Sequence, residues 1–164
     1  EVAFHDVEPI DLATTIGPLL VLAEVSDPGN AGTLMRSAEA FGATGVIVAS
    51  GVDPYNPKLV RAAAGSSFRV PFAVVDDPMA ALRILDEAGY GCWATIPRGG
   101  LSPAAVPSEG PVALILGNEP HGLSDEVVAA CVGTVSVPTV GGVDSLNVAI
   151  AGSIALHDLA GRKP

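Results

Sequence analysis

Three short stretches of this chain gather side chains able to do chemistry. SDPGNAGTLMR (26–36) holds Asp27, Asn30 and Arg36 among glycines, and GNEPHGLSDE (117–126) holds Asn118, Glu119 and His121. VPTVGGVDSLNVA (137–149) ends in Ser145 and Asn147. An arginine near a strand end can meet an anion such as a phosphate, and amides and hydroxyls beside it can orient a polar substrate. Glu119 next to a buried strand end needs hydrogen bonds or a cation to offset its desolvation, although a lone carboxylate also fits an ordinary turn. His121, single and in a loop, reads as an exposed turn residue. The first loop lacks the G-x-G-x-x-G spacing and no stretch has a P-loop lysine, which disfavours an ordinary dinucleotide or nucleoside triphosphate site. Cys92 and Cys131 have no C-x-x-C spacing and the three histidines are scattered, so no metal site is expected.

The elements that must position these loops follow from hydrophobic pattern. Strands are expected at 18–26, 45–50, 71–75, 90–96, 112–117 and 134–138. Helices are expected at 33–41, 56–68 and 77–89, then a short one from Ser124 and a final apolar one that opens at Asp144 or Ser145. Strands separated by helices imply parallel crossovers, hence an α/β fold with a parallel sheet and helices on both faces. Ligands in such sheets bind beyond the carboxyl ends of the strands, where all three polar stretches fall. Asn30 or Thr33 is expected to cap the first of these helices, which puts Arg36 in its first turns, against the macrodipole. The bland alternative is a capped turn with Arg36 solvated. Asp144 or Ser145 is expected to cap the last helix, leaving Asn147 inside it as a poor interior residue held for a partner.

Length and composition bound the rest. The 164 residues suit one domain, and 49% hydrophobic content fills a sizeable core. Residues 1–17 read as a lead-in and 18–164 as the domain. No apolar run approaches the roughly 18–20 residues that span a bilayer, so no membrane partner is expected. The chain begins with Glu1 rather than Met, which suggests a piece of a longer protein. Cys92 and Cys131 read as small buried hydrophobes in a reducing compartment. With 8 basic and 18 acidic residues the net charge is −10, which on its face argues against a nucleic-acid partner.

The three loops in this order nevertheless resemble a family. NAGTLMR (Asn30, Gly32, Arg36), LGNEPHGLS (Gly117, Glu119, Gly122, Leu123, Ser124) and VPxxGxVDSLNVA (Pro138, Gly141, Val143, Ser145, Leu146, Asn147) are similar to the signature motifs of the SpoU/TrmH branch of the SPOUT RNA methyltransferases. The resemblance spans roughly residues 18–160. Two positions depart from the pattern: Pro120, where many relatives have Gly, and Thr139, where Met is common.

The resemblance implies a homodimeric, cytoplasmic enzyme with a C-terminal trefoil knot, transferring a methyl group from S-adenosylmethionine to a ribose 2′-hydroxyl of rRNA or tRNA. A non-catalytic RNA- or cofactor-binding relative is the alternative. Carried over by position, the cofactor pocket comprises Thr95, Pro97, Leu116, Gly117, Asn118, Glu119, Val137, Pro138, Leu146 and Asn147. The implied catalytic set is Arg36, Asn30, Ser145, Asn147 and Glu119, with Arg36 as general base or as phosphate clamp. Because family members usually carry RNA-binding extensions, the acidic balance suggests that a more basic N-terminal domain belongs upstream.

Overall fold

Aliphatic and β-branched runs form six strands: β1 (Leu19–Ala23), β2 (Gly45–Ala49), β3 (Phe72–Val75), β4 (Gly91–Thr95), β5 (Val112–Leu116) and β6 (Gly133–Val135). The computed structural model describes residues 4–13, 17–107, 109–140 and 145–161; Gly141, Val143 and Asp144 of the third motif lie outside the described residues. All strand pairs are parallel, in the order β3-β2-β1-β5-β4-β6. Every residue of β1, β2 and β5 is buried, as expected where helices cover both faces of a parallel sheet.

Alternation along the strands splits the core in two. Leu20, Leu22, Val46, Val48, Leu114 and Leu116 pack under α2 (Pro28–Ala40), α3 (Pro57–Ala62) and α6 (Val148–Ala160). Leu19, Val21, Ile47 and Ile115 pack under α1 (Pro9–Ala13), α4 (Pro78–Glu87) and α5 (Asp125–Ala130). Residues read as a lead-in therefore reach the core, with Leu12 and Ala13 buried. Both sheet edges are paired. His5 and Val7 exchange backbone hydrogen bonds with Phe72 of β3, and Leu101 bonds to Thr134 and Ser136 beside β6. Such cover removes the exposed ladder that would recruit another strand.

The same local device starts three helices: a capping Asp or Asn followed by Pro at the first helical position. Asp27 accepts from Asn30 N, Asn56 from Lys58 N and Asp77 from Ala80 N. Helix α2 thus begins at Pro28, five residues before the expected start, and is capped by neither Asn30 nor Thr33. Arg36 consequently lies past the middle of this 13-residue helix, where the macrodipole argument has no force. The helix expected over 56–68 also ends early. Ala64 and Gly65 adopt φ of 49° and 89°, and a short 3-10 turn, Ser66–Phe68, follows. The last helix starts at Val148 with Asn147 as its cap, not Asp144 or Ser145.

Helix α2 crosses α3 at Gly32, where an added Cβ would stand 2.5 Å from Leu59 O and 2.9 Å from Ala63 N. Both are backbone atoms, so relief requires separating the helices. Gly32→Ala gains helix propensity yet overpacks this crossing, at about 1–3 kcal/mol. A thermal melt should show a fall of several degrees in Tm; an unchanged or raised Tm would show that the crossing tolerates a methyl group.

Candidate functional site

Strands β1 and β5 are hydrogen-bonded neighbours, yet β1 leads into α2 on one face and β5 into α5 on the other. Chain connections diverge there, opening the crevice in which doubly wound sheets hold ligands. Glu24, at φ 58°, turns the chain out of β1, and its carbonyl accepts from Asn118 Nδ2 at 2.9 Å. The loop after β5 folds back on itself, with Gly122 N donating to Asn118 O at 2.8 Å. Gly117 is required for this, since a Cβ there would lie 2.5 Å from Gly122 C.

Glu119 joins the two loops. Its Oε2 accepts from Ser26 N (3.2 Å) and Ser26 Oγ (3.0 Å), and its Oε1 from Asp27 N (3.2 Å) and Asn30 Nδ2 (3.0 Å). Burial pushes the carboxyl pKa up, but the hydrogen bonds from Asn30 and from backbone amides outweigh it and hold the group below its ordinary value. Asn30 relays the network onward: its Oδ1 accepts from Asn147 Nδ2 at 3.0 Å. Asn147 Oδ1 caps α6, accepting from Ala149 N (2.9 Å) and Ile150 N (3.3 Å). Asn147 is therefore not a helix-interior residue waiting for a partner. Its amide uses one end on the helix and the other on Asn30.

A cavity of about 490 Å³ opens beside this network. Its walls come from the ends of β4 and β5, from the loop after β5, and from the approach to α6. Thr95, Pro97, Gly117, Asn118, Glu119, Val137, Ser145, Leu146 and Asn147 all line it, as do Pro120 and Thr139. Two residues assigned to the pocket do not line it. Leu116 is fully buried in the core beneath, against Gly152 of α6, and Pro138 is exposed outside. Asn30 reaches the cavity only through its two partners. Arg36 is exposed on α2, away from the lining, and its side chain makes no hydrogen bond or ion pair with the described residues. Leu123 and Val148, inside the second and third motifs but not assigned to the pocket, also line it; sequence reasoning missed Ile96 and Ala151, whose only signal is apolar character, and His121, an exposed loop residue that faces the cavity.

The lining fits an adenosyl-sized ligand. The cavity volume lies within the roughly 300–1,000 Å³ of small-molecule sites, with apolar walls from Val137, Leu146 and Val148 and polar groups from Thr95, Asn118, Glu119, Ser145 and Asn147. Asn118 Oδ1 is buried and unpartnered, with the amide oriented by the bond from Nδ2 to Glu24. An acceptor of this kind is available to a donor from a bound ligand. Among the described residues, no cluster of His, Cys, Asp or Glu could hold a metal ion, and no helix is long and apolar enough to cross a membrane.

Residues 17–157 match the SpoU rRNA Methylase family. The chain belongs to that family. It is 36% identical to an uncharacterized tRNA/rRNA methyltransferase of Synechocystis over 85% of this chain and 51% of that protein. It is 32% identical to the 23S rRNA (guanosine(2553)-2′-O)-methyltransferase RlmP of Bacillus subtilis over 93% of this chain and 62% of that protein. The AdoMet-bound rRNA methyltransferase of Sinorhizobium meliloti superposes with a TM-score of 0.85 at 33% identity, covering 93% of this chain and 59% of that one. The SpoU-family chain thus spans between half and two thirds of the length of these relatives.

The Glu119 network yields a sign-specific prediction. A carboxyl held below its ordinary pKa of 4.5 contributes stability that is complete above that value and is lost as pH falls through the lower folded pKa. Glu119→Gln turns an amide against donors that need acceptors, at about 1–3 kcal/mol. Melts of both proteins should differ by several degrees at neutral pH and converge on acidification below 4.5. A gap that stays constant into acid would show that the charge of Glu119 is not what matters.

Proposed function

We propose that this SpoU-family chain binds S-adenosylmethionine in the cavity and methylates a ribose 2′-hydroxyl of rRNA or tRNA, working as a cytoplasmic homodimer. The observation that carries this reading is the cavity at the β1–β5 divergence, with its orphaned Asn118 Oδ1 and its wall braced by Glu119, Asn30 and Asn147. Support for the chemistry comes from the relatives above. Ile150 and Ile154, exposed on α6, offer an apolar face to a second copy.

When bound, the cofactor supplies an electrophilic sulfonium methyl group. The chain's own task is then positioning, and good alignment is worth several kcal/mol of barrier. Main-chain groups of 117–119 and the apolar side chains of Val137, Leu146 and Val148 hold the adenosyl group. Among the described residues of the lining, Glu119 is the one carboxylate and there is no Lys or Arg to repel a sulfonium. Ser145 orients the ribose from the α6 side, and Asn147 and Asn30 fix the wall against which it rests. Arg36, exposed on α2 and off the cavity lining, acts as a clamp on an RNA phosphate rather than as a base, since a guanidinium does not give up its proton.

The test is to incubate the protein with isotopically labelled S-adenosylmethionine and unmodified rRNA and tRNA transcripts, then to resolve nucleosides by mass spectrometry. Label should appear as 2′-O-methylribose. Asn147→Ala should slow transfer roughly 100-fold by misplacing the α6 wall. Label on a base, or no transfer to either RNA class, would contradict the reading.

A further inference from the structure

Charge is unevenly divided between the two faces of the sheet. On one face, α4 and α5 with their lead-ins carry Asp76, Asp77, Asp86, Glu87, Asp125 and Glu126 against one cation, Arg83. On the other, the acidic groups of α2 are matched: Asp27 faces Lys58 at 3.2 Å, and Glu39 pairs with Arg69. Arg61 at the end of α3 and Arg36 on α2 are exposed, and their side chains make no ion pair or hydrogen bond among the described residues. Nearby, Asp53 accepts from the backbone N–H of Tyr55 at 2.9 Å and Asp6 accepts from the Tyr55 hydroxyl, so two carboxylates also stand on this side.

Tyr55, just before α3, adds an aromatic surface to these cations. It is 42% exposed, yet its ring is set edge-on against Phe4 at 5.0 Å and Phe72 at 5.7 Å, and its hydroxyl bonds to Asp6. Tyr55 precedes the exposed cations Lys58 and Arg61 by three and six residues, and a half-exposed ring with cations close to it in the chain can stack an unpaired base while the cations meet phosphates. The corner also leads to the cavity. Lys58 contacts Asp27, whose backbone N–H donates to Glu119 on the cavity wall.

We propose that the corner between β2 and α3, formed by Tyr55, Lys58 and Arg61, is the surface along which RNA approaches the cavity, with Tyr55 stacking a base and the two cations holding its backbone. This rests on the methyltransferase reading and gives it a docking face that the chain's net charge conceals. The acidic α4–α5 face repels the same polyanion and so fixes which side of the sheet it meets. An acidic protein surface would suit the cations but leaves the Tyr55 ring unused.

Fluorescence titration of unmodified 23S rRNA and tRNA transcripts at several salt concentrations tests this, with Lys58→Glu, Arg61→Glu and Tyr55→Ala against Arg83→Glu on the opposite face. Each charge reversal at the corner should weaken binding roughly 5–20-fold and lower the slope of log K against log salt by about one or more. Tyr55→Ala should weaken it about tenfold with little change in slope. Thermal melts and S-adenosylmethionine affinity should stay at the wild-type level for Arg61→Glu, whereas Lys58→Glu also removes the ion pair with Asp27 and is read beside it. Wild-type RNA binding by both reversals, an equal loss in Arg83→Glu, or no salt-dependent RNA binding by the parent protein would overturn the proposal. Failure of the parent protein to bind S-adenosylmethionine would instead overturn the methyltransferase reading, so the two failures are separable.

Discussion

One carboxylate, Glu119, holds together the loops that follow β1 and β5. These loops belong to connections that run to opposite faces of the sheet, so nothing in the covalent chain keeps them in contact. Four donors from Ser26, Asp27 and Asn30 converge on the two oxygens and stabilise the charge without a cation. Through Asn30 the same network reaches Asn147 and thus the first turn of α6. Three segments far apart in sequence are locked by side-chain and backbone hydrogen bonds, and the cavity lies between two of them.

Packing makes that network possible. The cap at Asp27 sets where α2 begins and so carries Asn30 to within reach of Glu119. Gly152 lets α6 come down between Leu116 and Leu34, where a Cβ would be 2.7 Å from each, and so places Asn147 over the end of β5. Leu116 therefore serves the site from below, by supporting α6, rather than by touching a ligand. Polar precision at the surface of the crevice depends on close apolar contact beneath it.

Much of this was legible in the residues. Runs such as LLVLA and VALIL read as buried parallel strands because length and β-branched content leave little choice. Their lateral order was not legible, since a helical crossover does not reveal which strand lies next door. Polar loops at strand ends pointed to the crevice, and residues from all three motifs do meet there. Local competition between caps caused the errors. Asn30 and Thr33 are plausible caps, but Asp27 followed by Pro28 is stronger, and that choice moved Arg36 from the mouth of α2 to its interior. Asp144 and Ser145 similarly hid the role of Asn147, whose amide both caps α6 and bonds across to α2. Ile96 and Ala151 could not be found from pattern, because an apolar residue facing a cavity looks the same in sequence as one facing the core.

The most direct measurement is calorimetric titration of S-adenosylmethionine into the parent protein and into Asn30→Ala. Asn30 does not line the cavity; it only ties Glu119 to Asn147. If the clasp across the β1–β5 divergence shapes the cofactor site, affinity should fall roughly tenfold or more in the variant while the fold persists, as expected for losing charge-assisted bonds worth about 1.5–3 kcal/mol. Equal affinity in the two proteins would mean that the cavity forms without the clasp, and the central place given to Glu119 would be wrong.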